Sequence, residues 1–243
     1  MIIELKKVKI ARHLSQETEA FSAEIHVDGK VAAYASNQGC GGCNRYDFVS
    51  PALRDLLEDE AKKAKPQSME SLAERVGAPT HLCLNAGILS GHTGAPWEAP
   101  PAEWQRMLAV NLGGVVNGLR AFVPPMLTSG DPCSILITGS LAGVLTWPGG
   151  GPYAATKHAV VAVAEQAAQA LQHTNIAVTL LCPALVRTAM SEVGESANDV
   201  AEQALSAMDA RQFAVIPAAW SAAISRRAQG LTDGRRPTVP TLE

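Results

Sequence analysis

Three side chains stand out for chemistry that they could share. Ser140 supplies a hydroxyl, Tyr153 a phenol and Lys157 an ammonium; Tyr153 follows Ser140 by thirteen positions and Lys157 follows Tyr153 by four. Residues four apart lie on one face of a helix, so the phenol and the ammonium would point the same way. A phenol with an ordinary pKa of about 10 exchanges protons poorly at neutral pH. A neighbouring ammonium favours the phenolate and would lower that value. With a hydroxyl beside them, the three could converge on one substrate oxygen.

These residues need elements to position them. Ser134-Ile-Leu-Ile-Thr138 reads as a buried central parallel strand, and it runs into Gly139-Ser140-Leu-Ala-Gly143. Ligands of open α/β sheets bind at the carboxyl ends of such strands. The Ala- and Val-rich segment opened by Tyr153 reads as a helix to about Gln172. Upstream, a short helix begins at Ser68 and stops near Gly77, and His81–Leu84 is a strand leading into Asn85-Ala86-Gly87. Glu103 to about Leu127 reads as one long helix containing Asn111, with Pro124-Pro125 near its end. Downstream, Ile176–Leu181 is a β-rich run before Pro183-Ala184-Leu185-Val186-Arg187-Thr188. Glu192 to about Met208 is a polar flap and then a helix, Phe213–Ile216 is a last strand, and the tail Thr232–Pro237 is exposed. Alternation of this kind predicts an α/β fold with a doubly wound parallel sheet.

Taken in order, these motifs resemble the short-chain dehydrogenase/reductase family over roughly residues 68 to 238. The resemblance implies an NAD(P)-dependent oxidoreductase that interconverts an alcohol and a carbonyl on a small-molecule substrate. It implies Asn111, Ser140, Tyr153 and Lys157 as catalytic residues. Tyr153 would be the general acid/base, Ser140 would hold the substrate oxygen, and Asn111 would help to carry a relay water. For NAD or NADP it implies Asn85, Ala86, Gly87, Tyr153, Lys157, Pro183, Ala184, Val186 and Thr188. Asn85 would steady the sheet, Gly87 would admit the cofactor's ribose, Lys157 would bond the nicotinamide ribose and Thr188 would touch the nicotinamide amide. Ala184 stands where the family usually has Gly. The resemblance also implies a homodimer or homotetramer, paired through the helices at Glu103–Leu127 and Tyr153–Gln172.

Residues 1 to 64 read differently, as a small α+β hairpin-and-helix module, with a seam at Pro66-Gln67-Ser68 before a 68–243 dehydrogenase-like half. Ile2–Ile10 and Glu19–Val27 read as strands, Asp28-Gly29 as a hairpin turn and Val31–Ser36 as the return strand. A Gly-rich loop, Asn37–Asn44, precedes a helix capped by Ser50 with Pro51 at its first position. The module faintly resembles small bacterial domains with a Gly-Gly-x-Asn-x-Tyr loop, a resemblance without a function. It holds no strand, Gly-rich turn and helix of the kind that cradles a pyrophosphate. Gly39-Cys-Gly-Gly42 has the wrong spacing and follows a hairpin strand. The family's first half thus reads as replaced. The His81–Leu84 strand is left as an edge, which Ile2–Ile10, Glu19–Val27 or the module as a body would cover. Weak dinucleotide binding follows, and the alternatives are a catalytically inactive interaction scaffold or a chimera.

Cys40 and Cys43 fit loop residues better than half a zinc site or a redox pair, and no metal is expected. Trp97, Trp104 and Trp147 either line an apolar substrate pocket or simply pack. A net charge of −3 gives no footprint for nucleic acid. No run of eighteen apolar residues points to a membrane span. The charged N-terminus and five scattered cysteines suggest a cytoplasmic location.

Overall fold

The computed structural model describes residues 3–10, 21–37, 45–63, 69–92, 94–188 and 192–241. The chain forms two compact units, Met1–Gln67 with Arg187–Asn198, and Ser68–Val186 with Asp199–Glu243.

The first unit is an antiparallel meander of β1 (Ile3–Ile10), β2 (Phe21–Val27), β3 (Lys30–Asn37) and β4 (Arg45–Phe48), in that order, followed by α1 (Pro51–Lys63). Asp28 and Gly29 carry φ values of 48° and 79°. Two positive values in a row make the turn whose twist matches a hairpin. Ser50 Oγ accepts the Leu53 N–H at 3.3 Å and caps α1. His26 and Lys7 both meet the Glu24 carboxylate at 2.9 Å and hold its pKa below the ordinary value. β4 was not legible as a strand, because four residues between a Gly-rich loop and a helix are too few to show alternation. Cys40 and Cys43 lie outside the described residues.

The second unit is a parallel sheet in the order β10-β7-β6-β5. It contains β5 (His81–Leu84), β6 (Cys133–Thr138), β7 (Ile176–Leu181) and β10 (Ala214–Val215). All six residues of β7 are buried, as expected of a strand covered on both faces. The helices are α2 (Met69–Val76), α3 (Pro101–Met107), α4 (Gly114–Ser129), α5 (Gly151–Ala170), α6 (Ala197–Asp209) and α7 (Ser221–Thr232). Side chains alternate along β6. Ile135 and Ile137 pack in one core with Leu84, Phe122, Met126, Val160 and Ala164. Leu136 packs in a second core with Val200, Ala204 and Met208 of α6. Helices therefore cover both faces, and the sheet is doubly wound. A two-stranded ladder joins β8 (Val186–Arg187), within the Pro183–Thr188 motif, to β9 (Glu195–Ser196), which falls in the stretch expected to open as a polar flap.

Two expectations change. The long helix starts at Pro101 and is interrupted by a π segment, Leu108–Gly113, before continuing as α4. By length and composition alone Pro101–Ser129 is apolar enough to cross a membrane, although it holds no run of eighteen apolar residues. Here Val115, Ala121, Phe122 and Met126 belong to the sheet's core, and Gly118 lies against Leu84. Finally, β5 is the last strand of its sheet, while β1 and β2 pair within their own antiparallel sheet. Neither strand is part of the parallel sheet: β1 pairs with β2, and β2 pairs with β1 on one side and β3 on the other.

Candidate active site

Ser140 leaves the carboxyl end of β6 in extended conformation and caps a short 3-10 turn, Leu141–Gly143. Its Oγ accepts the Ala142 N–H at 3.1 Å. Two backbone bonds extend the sheet beyond the strand ends: Gly139 N–H to Leu181 O and Leu141 N–H to Pro183 O, both 2.8 Å. They hold Ser140 beside Cys182-Pro183. Gly143 lets α5 approach, because a Cβ there would stand 2.6 Å from Lys157 O.

Tyr153 is the third residue of α5 and half-buried. Burial pushes its phenol above the ordinary pKa, and a hydrogen bond with the Ser140 side chain opposes this. Lys157 is 4% exposed, and burial brings its pKa down from 10.5 to about 8. Its Nζ donates to Thr138 O at 3.0 Å and lies 5.8 Å from the centre of the Tyr153 ring. The expectation that Lys157 lowers the Tyr153 pKa is therefore not met: the ammonium faces the strand carbonyl, and burial dominates. Cys182, fully buried, is pushed up to about 11 by burial, with the Ser140 backbone N–H and the Lys157 charge pulling the other way.

Asn111 sits in the π segment and is fully buried. Its Oδ1 accepts the Ile88 N–H at 2.8 Å, while its Nδ2 donates to Ile88 O at 3.1 Å and to Thr156 Oγ1 at 3.2 Å. The extra residue of a π turn re-aims side chains, and such turns recur at functional sites. Asn111 thereby pins the loop that follows Asn85-Ala86-Gly87. A Cβ on Gly87 would lie 3.5 Å from both Asn111 Oδ1 and Lys157 Nζ, so glycine leaves a polar notch between them.

The structure thus brings Asn111, Ser140, Tyr153, Lys157, Gly87 and Pro183 to one end of the sheet. Asn85, Ala86 and Ala184 are exposed there. Val186 instead packs in the α6 core. Thr188 is exposed and falls in Arg187–Asn198, a segment of the first unit. Trp104 donates its indole N–H to Pro96 O at 3.2 Å and braces a loop, whereas Trp97 and Trp147 are exposed. Three participants were not singled out from the sequence. Thr156 lies inside the Tyr153–Lys157 motif, Cys182 directly precedes Pro183, and the Thr138 carbonyl leaves no mark on residue type. Among the described residues no cluster of three or more His, Cys, Asp or Glu could hold a metal.

A doubly wound sheet that gathers a hydroxyl, a phenol and an ammonium at the carboxyl ends of its strands has them where ligands of such sheets bind. The model of the short chain dehydrogenase family matches residues 56–199, more than half of the chain, and the chain belongs to that family. It is 31% identical over 177 residues to 1-deoxy-11-beta-hydroxypentalenate dehydrogenase of Streptomyces avermitilis, covering 71% of this chain and 65% of that one. A short chain dehydrogenase/reductase from Burkholderia phymatum in complex with NAD aligns with a TM-score of 0.61 at 28% identity, over 80% of this chain and 77% of that one. A metagenomic short-chain oxidoreductase in complex with NADP aligns with a TM-score of 0.50 at 31% identity, over 61% and 65%. Those two structures hold NAD and NADP, respectively. The chain spans 42% to 65% of the length of the curated relatives it matches.

The residues present fit one end of that cofactor. The Gly87 notch, with Lys157 Nζ and Asn111 Oδ1 on its walls, suits the hydroxyls of a ribose. The pyrophosphate end has no counterpart in the described part of the first unit, whose strand pairs are all antiparallel.

Proposed function

We propose that the chain interconverts a small-molecule alcohol and its carbonyl, with weak affinity for the dinucleotide. The observation that supports this most is the meeting of Tyr153, Ser140 and Lys157 beside the Gly87 notch. Bound NAD(P) supplies or accepts the hydride. In reduction, the Tyr153 hydroxyl gives its proton to the carbonyl oxygen, and Ser140 holds that oxygen and the phenolate that remains. Lys157 is charged at neutral pH and about half neutral near pH 8. Its Nζ is held by Thr138 O and stands 5.8 Å from the centre of the Tyr153 ring, so its part would lie with the ribose rather than with the pKa of the phenol. Lys157 and Gly87 would hold the ribose, with Asn85, Ala86, Pro183 and Ala184 on the cofactor side. The assembly would be a homodimer or homotetramer located in the cytoplasm.

In a carbonyl-reductase assay Tyr153→Phe should lower kcat by roughly 10²- to 10⁴-fold, since the proton donor is gone. Full activity in that variant would end the assignment. A second reading, a scaffold that turns nothing over, is favoured by the antiparallel first unit. Calorimetric titration with NAD(H) and NADP(H) separates the two. A dissociation constant weaker than about 10 μM with measurable turnover fits the first reading. No binding fits the scaffold, and tighter binding would overturn the weak-affinity proposal.

A further inference from the structure

Thr156 takes no part in the proposed reaction, yet it stands at the centre of the site's buried hydrogen bonds. Its side chain is fully buried and carries one hydroxyl with two jobs. The hydroxyl donates to Tyr153 O at 2.8 Å and accepts from Asn111 Nδ2 at 3.2 Å. Asn111 continues the chain to both polar backbone groups of Ile88, at 2.8 and 3.1 Å. One buried point therefore ties the first turn of α5, the π segment and the loop after Gly87. Both protons of the Asn111 amide are used in this arrangement, one on Ile88 O and one on Thr156 Oγ1. Removing the hydroxyl would leave an N–H unpaired where water does not reach.

We infer that Thr156 is a positioning residue for the proposed reaction: through its hydroxyl it locks Tyr153 and Lys157 against the Asn111–Ile88 loop. The inference rests on the proposed oxidoreductase reading for its kinetic consequence and not for its structural one. Residues 153 and 157 flank Thr156 on one helix, so a small rotation of that turn moves both reactive groups together. A shift of about 1 Å at a reacting group can lower a rate by around a hundredfold.

The test uses the full chain with Thr156→Val, which keeps the shape and loses the hydroxyl, and Thr156→Ser, which restores it. The first readout is the Tyr153 phenolate titration by ultraviolet absorbance, taken as the difference from Tyr153→Phe. In Thr156→Val the loosened turn admits water, and the burial-raised pKa should fall by half a unit or more, roughly the smallest shift that such a difference resolves. Thr156→Ser should titrate like the wild type. The second readout is carbonyl reduction: kcat in Thr156→Val should drop roughly ten- to a hundredfold with KM within about threefold, and Thr156→Ser should recover it. A shifted titration in a chain without turnover upholds the positioning role and sinks the oxidoreductase reading. An unchanged titration and unchanged kcat in Thr156→Val overturn the inference, as does a Thr156→Ser that fails to restore them. Should Thr156→Val not fold, Thr156→Ala, smaller and also lacking the hydroxyl, carries the same two readouts.

Discussion

Replacing Lys157 by Met removes a buried charge and keeps an apolar stem of similar length. Lys157 is 4% exposed and its pKa is brought from 10.5 to about 8 by burial. Between those two values the unfolded chain binds more protons than the folded one, so stability rises with pH. The penalty is carried in full below pH 8 and relieved as pH climbs toward 10.5. The whole gap is worth about 3 kcal/mol, of which roughly 1 kcal/mol falls between pH 7 and 9. Cys182 acts with the opposite sign. Burial raises its thiol from 9.0 to about 11, so the folded chain binds more protons there and stability falls through that range. Between pH 7 and 9 it withdraws less than about half of what Lys157 adds. Tyr153, also raised, has its effect only above pH 10. The wild type should therefore gain somewhat under about 1 kcal/mol from pH 7 to 9, whereas Lys157→Met should stay level or lose slightly. At pH 7 the variant should be the more stable by about 2 kcal/mol, the relief of the charge less about 1 kcal/mol for the lost bond to Thr138 O. Urea unfolding at each pH, followed by tryptophan fluorescence, reads this directly, because all four tryptophans lie in the second unit. Parallel pH curves for the two proteins would show Lys157 hydrated at an ordinary pKa and would refute the burial assigned to it.

Other expectations can be checked as simply. Gly143→Ala should lower stability by about 1–3 kcal/mol in denaturant unfolding, since the new Cβ would stand 2.6 Å from Lys157 O, a backbone atom that cannot turn aside. If turnover is measurable, the same substitution should reduce it by displacing α5; an unaffected protein would mean that the turn and helix are looser than described. Light scattering at micromolar concentration should return a dimer or larger, formed through the helices around Asn111 and after Tyr153, and a clean monomer would count against that pairing.

Much of the second unit was legible because its signals are strong and local. A continuous apolar run such as Ser134–Thr138 suits a strand covered on both faces, and the alternation of such runs with helices points to a parallel, doubly wound sheet. What escaped has identifiable causes. The helix α7 buries only Ala223, so it shows little of the apolar periodicity that marks a helix. The π segment at Leu108–Gly113 is a backbone event with no residue signature. The direction of the Tyr153 shift was misjudged because spacing shows that Lys157 is near but not where its Nζ points. The Nζ is held by Thr138 O, and burial then decides the sign.

The two ends of the proposed cofactor site depend on different parts of the chain, and this bears on how such a protein could work. The nicotinamide end is made by β5, β6, β7 and α5, whose packing in a common core stands without any strand beyond β5. Its polar groups are braced internally, by Thr138 O on Lys157 and by Ile88 and Thr156 on Asn111. The pyrophosphate end requires a parallel strand followed by a glycine turn and a helix N-terminus. The antiparallel meander of the first unit contains no parallel strand followed by such a turn and helix among the described residues. Catalytic geometry can thus persist where affinity does not, since acceleration depends on contacts made in the transition state and affinity on contacts made throughout. If the proposed site is intact, the loss of adenosine contacts should appear as a high KM for the dinucleotide. Proton transfer at Tyr153 would keep its own dependence on Ser140. A chain that instead bound dinucleotide tightly and turned nothing over would have the opposite construction, and would place the defect at Tyr153 rather than in the first unit.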